Sequence, residues 1–150
     1  MSESNPIRVF VVHGWIVDDD YSRLVEYMET AENFYYVSVS KPDAPVTGGD
    51  GTAARRTALV DGLKNAECVV CSAGTWERYQ DWARYAVERA RELELPLVAI
   101  EHFGPRDMDI RLKGFADEVV GWDSRSIVDA IRRQARHEDT TRFDTIEFDL

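Results

Sequence analysis

The chain has 150 residues, 44% of them hydrophobic, and a formal net charge of −10. That is enough apolar side chain for one self-sufficient core, and the wrong sign for the basic field that displaces counterions from nucleic-acid phosphates. No apolar run approaches the roughly 20 residues of a membrane span, and the opening MSESNP is polar and acidic, unlike a secretion signal, so a cytoplasmic protein is expected.

Short apolar runs alternate with amphipathic segments along the chain. IRVFVVHG (7–14) reads as a buried strand, and DDDYSRLVEYMET (18–30) as a helix with the stripe Tyr21, Leu24, Val25 and Met28 and three aspartates at its start. YYVSVS (35–40) alternates, as a half-exposed edge strand does. KPDAPVTGGDG (41–51) is a loop of turn residues. TAARRTALVDGLKNAE (52–67) is a helix with Leu59, Val60 and Leu63 inward, and CVVCSAG (68–74) a continuous buried strand. A helix from Glu77 to Glu94 follows, then PLVAIEHF (96–103) as a fourth strand, an irregular stretch over 104–117 with one short helix, and EVVGW (118–122) as a fifth strand. DSRSIVDAIRRQARH (123–137) is a capped helix with Ile127, Val128 and Ile131 inward. Its arginines, Arg132, Arg133 and Arg136, suit a solvated helix end.

Five strands alternating with helices imply an α/β fold: a flavodoxin-like three-layer sandwich on a five-stranded parallel sheet of order 2-1-3-4-5, with the exposed second strand at the edge. Ligands bind such sheets at the carboxyl ends of the strands, near the switch point between strands 1 and 3. One domain over 1–137 and a tail over 138–150 are expected. In the tail Ile146, Phe148 and Leu150 alternate with acids, which fits an added edge strand, a disordered tail or a partner-docking peptide.

Several motifs invite chemistry. Cys68 and Cys71 have a redox or zinc spacing, but three residues apart on a strand they point to opposite faces, and no histidine cluster completes a metal site. GGDGT (48–52) precedes a helix but lacks the lysine of a phosphate loop. His13-Gly14-Trp15 closes the first strand, where Gly14 permits a close approach, Trp15 can stack on a ring or on the sheet edge, and His13 is a proton carrier or a structural cap. Ser72, Ala73, Gly74 and Thr75 are small, as a strand end beside a nucleotide requires, though any tight turn has the same need. Asp18-Asp19-Asp20 reads better as a helix cap than as metal ligands, and Glu101 as a surface acid. In DWARYAVERA (81–90), a helix advancing about 100° per residue sets Ala86 about 40° from Trp82. Both lie on the side of the stripe Tyr79, Trp82, Ala83, Ala86, Val87, Ala90 and Leu93, while Asp81 and Glu88 point away from it.

Taken in order, the strand ending in HGW, the helix DDDYSRLVEYM, CVVCSAGTW followed by DWARYAVERA, LPLVAI, and GWDSRSIVDAI resemble the TIR-like domains of the Thoeris anti-phage defence family over residues 7–135. These are bacterial relatives of Toll/interleukin-1 receptor domains. Family members usually carry S-H-S-W after the first strand; VHGW keeps His13 and Trp15 and departs at Gly14. The resemblance implies NAD as substrate, cleavage of its nicotinamide–ribose bond, and a cyclic or conjugated ADP-ribose signal read by a separate effector. Self-association is also implied, and no metal is. The transition state is an oxocarbenium-like ribose, stabilised by a nearby carboxylate. In the family that group is the first glutamate of a pattern like W-x-x-x-E-x-E; here the pattern is Trp82, Ala86, Glu88. The implied cleft comprises Phe10, His13, Gly14, Trp15, the loop 41–51, Trp76, Tyr79, Trp82 and position 86.

Ala86 has three readings: a glutamate replaced by alanine, a natural chain that binds without cleaving, or a shifted register in which Glu88 or another acid acts. Loss of such a preorganised charge costs about 10²–10³ in rate, so the chain is expected to turn NAD over poorly or not at all. The rival is a non-catalytic TIR-like module for nucleotide or protein contacts.

Overall fold

Strict alternation along the strands sorts the apolar side chains into two layers. The computed structural model describes residues 1–43 and 51–138. The elements are β1 (Ile7–Val11), α1 (Asp19–Glu29), β2 (Tyr36–Ser38), α2 (Thr52–Lys64), β3 (Cys68–Ser72), α3 (Ala73–Arg78), α4 (Gln80–Glu92), β4 (Leu97–Ile100), α5 (Ile110–Phe115), β5 (Glu118–Val120) and α6 (Ser124–Arg136). All strand pairs are parallel, in the order β2-β1-β3-β4-β5. This is the flavodoxin-like sandwich read from the sequence, with β2 at the edge.

Ile7, Val9, Val11, Cys68, Val70, Val98 and Ile100 face α1 and α6, while Phe10, Val12, Val69, Cys71, Leu97 and Ala99 face α2, α4 and α5. The two cysteines therefore belong to opposite layers, as the strand period requires. Both are free and fully buried, and burial pushes both thiols up. Among the described residues no helix is long and apolar enough to cross a membrane.

The boundaries differ from the sequence reading most around β3. SAG does not prolong the strand. Ser72 instead caps a new helix, its Oγ accepting the Thr75 N–H at 3.0 Å, so α3 begins at Ala73. The expected single helix over 77–94 is two, broken at Tyr79 (φ −124°, ψ 50°). The first and fourth strands end early, at Val11 and Ile100, and Leu93, expected inward, is 38% exposed beside the end of α4. Residues 44–50, which include most of GGDGT, and the tail residues 139–150 lie outside the described residues.

The late arginines are not a solvated end. Arg133 Nη2 donates to Glu118 Oε1 at 2.8 Å, Arg132 to Asp129 at 2.8 Å and to the Asn33 carbonyl at 2.7 Å, and Arg136 Nη2 to Glu67 Oε2 at 3.0 Å. Glu67 also accepts the Arg8 backbone N–H at 3.0 Å, so one carboxylate ties α6 to the starts of β1 and β3. Burial works to raise Glu67, but the hydrogen bonds from Arg136 and Arg8 outweigh it and hold the carboxyl below its ordinary range. Stability from a lowered carboxyl is present above the unfolded pKa, about 4.3, and is lost as pH falls through the folded value. Glu67→Gln is therefore expected to lower stability by about 1 kcal/mol at pH 7, with the gap closing as pH falls below about 4. Urea unfolding of both chains at the two pH values checks this.

Candidate functional site

The carboxyl ends of β1 and β3 meet where the sheet order reverses, and the residues after them converge there. Val12 continues the ladder, its N–H bonding the Val70 carbonyl at 2.9 Å. His13 follows, 3% exposed, its ring stacked on Phe10 and edge-on to Tyr21. Its Nδ1 accepts the Trp15 N–H at 3.0 Å, so the neutral ring carries its proton on Nε2. Burial lowers the His13 pKa to about 4. The ring is thus buried among Phe10, Trp15 and Tyr21 with its Nδ1 already engaged.

That hydrogen bond holds Trp15 in the left-handed region, φ 65°, an uncommon conformation for a residue with a Cβ. Trp15 is thereby turned edge-on to His13 (4.8 Å between centroids) and to Trp82 (5.8 Å). Tyr85 stands edge-on to Trp82 at 6.3 Å. Two guanidinium groups complete the wall: Arg55 lies 5.7 Å from the Trp15 ring and Arg56 5.3 Å from the Tyr85 ring. The Trp15 Nε1 is buried without a hydrogen-bond partner among the described residues.

Gly14 is required here by space. A Cβ on it would fall 2.2 Å from Tyr79 Cγ, so the Tyr79 ring rests directly on the Gly14 backbone. Two depressions flank the Trp15–Trp82 pair. One, of about 280 Å³, runs past Phe10, His13, Trp15, Val39, Lys41 and Asn65; the other, of about 440 Å³, is lined by Thr52, Arg56, Asp81, Trp82, Arg84, Tyr85 and Glu88.

Phe10, His13, Gly14, Trp15, Tyr79 and Trp82 thus come together. Trp76 does not join them: it is 1% exposed, its Nε1 donates to Asp109 at 3.2 Å, and its ring lies 6.3 Å from Phe115 on the far side of α4. Ala86 is inward as the helix period demands, fully buried in the layer of Phe10, Leu59 and Val69. Glu88 faces the second depression, 3.8 Å from Arg84 Nε. Glu101 is exposed beyond β4, near Gly121 and apart from the aromatic wall.

Sequence reasoning missed a buried carboxylate. Asp18 caps α1, accepting the Tyr21 N–H at 2.8 Å, as expected of the aspartate triplet. Asp20 instead turns inward, 7% exposed, and accepts from the Ser72 hydroxyl at 2.8 Å and from Arg23 at 3.2 Å. A Cβ on Gly74 would fall 2.3 Å from Asp20 Oδ2, so the small residues after β3 make room for this acid and not for a ligand. Arg78 then bridges to Asp18 at 2.8 Å. The available signal was the third aspartate lying on the same helical face as Leu24. Among the described residues no group of three or more His, Cys, Asp and Glu side chains is placed to hold a metal ion.

No family model matches the chain, and no curated protein sequence matches it.

Two measurements probe this end of the sheet. Because a lowered histidine pKa favours the neutral folded state, stability is lost as pH falls from about 6.5 toward about 4. An NMR titration should show the His13 ring neutral down to about pH 4. Gly14→Ala should push Tyr79 off its seat and cost about 1–3 kcal/mol by overpacking, read as a lower urea midpoint.

Proposed function

We propose that this chain is a TIR-like domain that holds NAD or an ADP-ribose-type nucleotide at the carboxyl ends of β1 and β3, and that it does not cleave it. The observation that carries the reading is the wall of Trp15, Trp82 and Tyr85 interleaved with Arg55 and Arg56 at the switch point of the sheet. Flat rings suit adenine or nicotinamide, and guanidinium groups suit a pyrophosphate. The resemblance to Thoeris TIR-like domains supplies the identity of the ligand.

Cleavage of the nicotinamide–ribose bond develops positive charge on ribose and needs a carboxylate beside it. One turn beyond Trp82 stands Ala86, with no charge to give and no exposed surface. Glu88, the fallback, lines the second depression off the inward face of α4, 3.8 Å from the Arg84 guanidinium. The lack of a carboxylate at position 86 favours binding over cleavage as the work of this chain. In an active form carrying a glutamate at 86, the same cleft would form an ADP-ribose signal for a separate effector in the cytoplasm, without a metal.

Calorimetry with NAD and with ADP-ribose tests the binding, and chromatography of nicotinamide tests the chemistry. The chain should bind at least one of the two, and Trp15→Ala should weaken binding by about tenfold, the scale of one lost stacking contact. The chain itself should release no nicotinamide; Ala86→Glu should release it, and Ala86→Gln, matched in size, should not. Absence of binding by either nucleotide overturns the reading. Equal release by the parent and Ala86→Glu would place the catalytic group elsewhere.

A further inference from the structure

The outer side of β2 is open. The Ile7 N–H bonds the Tyr35 carbonyl and the Val39 N–H bonds the Val9 carbonyl, both at 2.9 Å, so Tyr35, Val37 and Val39 turn their backbone groups to β1. Tyr36 and Ser38 turn theirs away from it, and among the described residues no backbone group pairs with them. On one face of the same strand Tyr35 is 37% and Val37 46% exposed. An apolar edge with free N–H and C=O groups is a template for one more strand.

We propose that residues 145–150 of this chain add to the free edge of β2 as a further parallel strand. Ile146, Phe148 and Leu150 then cover Tyr35 and Val37, and Thr145, Glu147 and Asp149 take the opposite face. The end of α6 selects this occupant. Arg132 donates to the Asn33 carbonyl at 2.7 Å and Arg136 to the Pro6 carbonyl at 3.1 Å, while Glu138 lies 3.5 Å from the Met1 amine. Met1 Sδ in turn accepts the Tyr35 N–H. The chain therefore leaves α6 at the amino ends of β1 and β2, and a strand formed from there runs parallel to β2. Residues 139–144 reach about 20 Å when extended, against about 10 Å for the two strand spacings from β1 to the new position. Topology excludes the other edge. α6 shares its layer with α1, the helix that carries the chain from β1 outward to β2. A strand outside β2 repeats the hand of that crossover, whereas one outside β5 would reverse it, which parallel sheets avoid.

Hydrogen exchange of the full chain, followed by NMR, tests this. The outward amides of Tyr36 and Ser38 should exchange slowly, as that of Val37, held by β1, does. Two variants should release them. Ile146→Pro/Glu147→Pro removes a ladder N–H whichever of the two faces β2, and Ile146→Asp/Phe148→Asp removes the apolar face. In each, Tyr36 and Ser38 should exchange at least about tenfold faster while Val37 is unchanged. Fast exchange at Tyr36 and Ser38 in the parent chain, protection that survives both variants, or equal acceleration of Val37 overturns the proposal. So does protection that falls on dilution, which would make the edge a contact between two copies.

Discussion

The resting of Tyr79 on the bare backbone of Gly14 governs the geometry of the whole upper end of the molecule. It fixes the exit of β1 against the break between α3 and α4, so two elements distant in sequence share one point of closest approach. From that point the chain turns through Trp15 in a left-handed conformation, while α4 sets off with Trp82 facing it. A side chain at 14 would separate these parts, and the aromatic wall would lose its two sides together. The strain at Trp15 is held by the His13 acceptor, which serves only while its Nδ1 stays unprotonated.

The sheet was legible because each strand declares its period. Alternation in β1 and the unbroken apolar run of β3 translate directly into the two layers, and the polar alternation of 35–40 marks the edge. Position 86 was legible for the same reason: a helical angle is a local quantity. What the sequence concealed was non-local. A serine that ends a strand and caps a helix looks like any small residue until the Thr75 N–H reaches it. The inward turn of Asp20 depends on space left by Gly74, 54 residues away. Trp76 and Trp82 look equivalent on paper, but the break at Tyr79 sends them to opposite sides of α4.

Charge is distributed by function in this acidic chain. Arg133 and Arg136 are drawn into pairs that fasten α6 to the lower edge of the sheet, and Arg132 pairs with Asp129 of α6 itself, so their charge is largely compensated. Arg55 and Arg56 lie over aromatic faces at the upper edge instead. A count of arginines would not separate these uses; only the partner of each guanidinium does.

Cys68 and Cys71, three residues apart on one strand, lie under different helical layers, each sealed from water and held as the unreactive thiol. Neither can be alkylated until the layer above it lifts. The chain thus carries two internal clocks: the rate at which each sulfur takes up a thiol reagent in native buffer times the opening of one face of the sheet, and the ratio of the two rates says whether the faces come apart together or in turn.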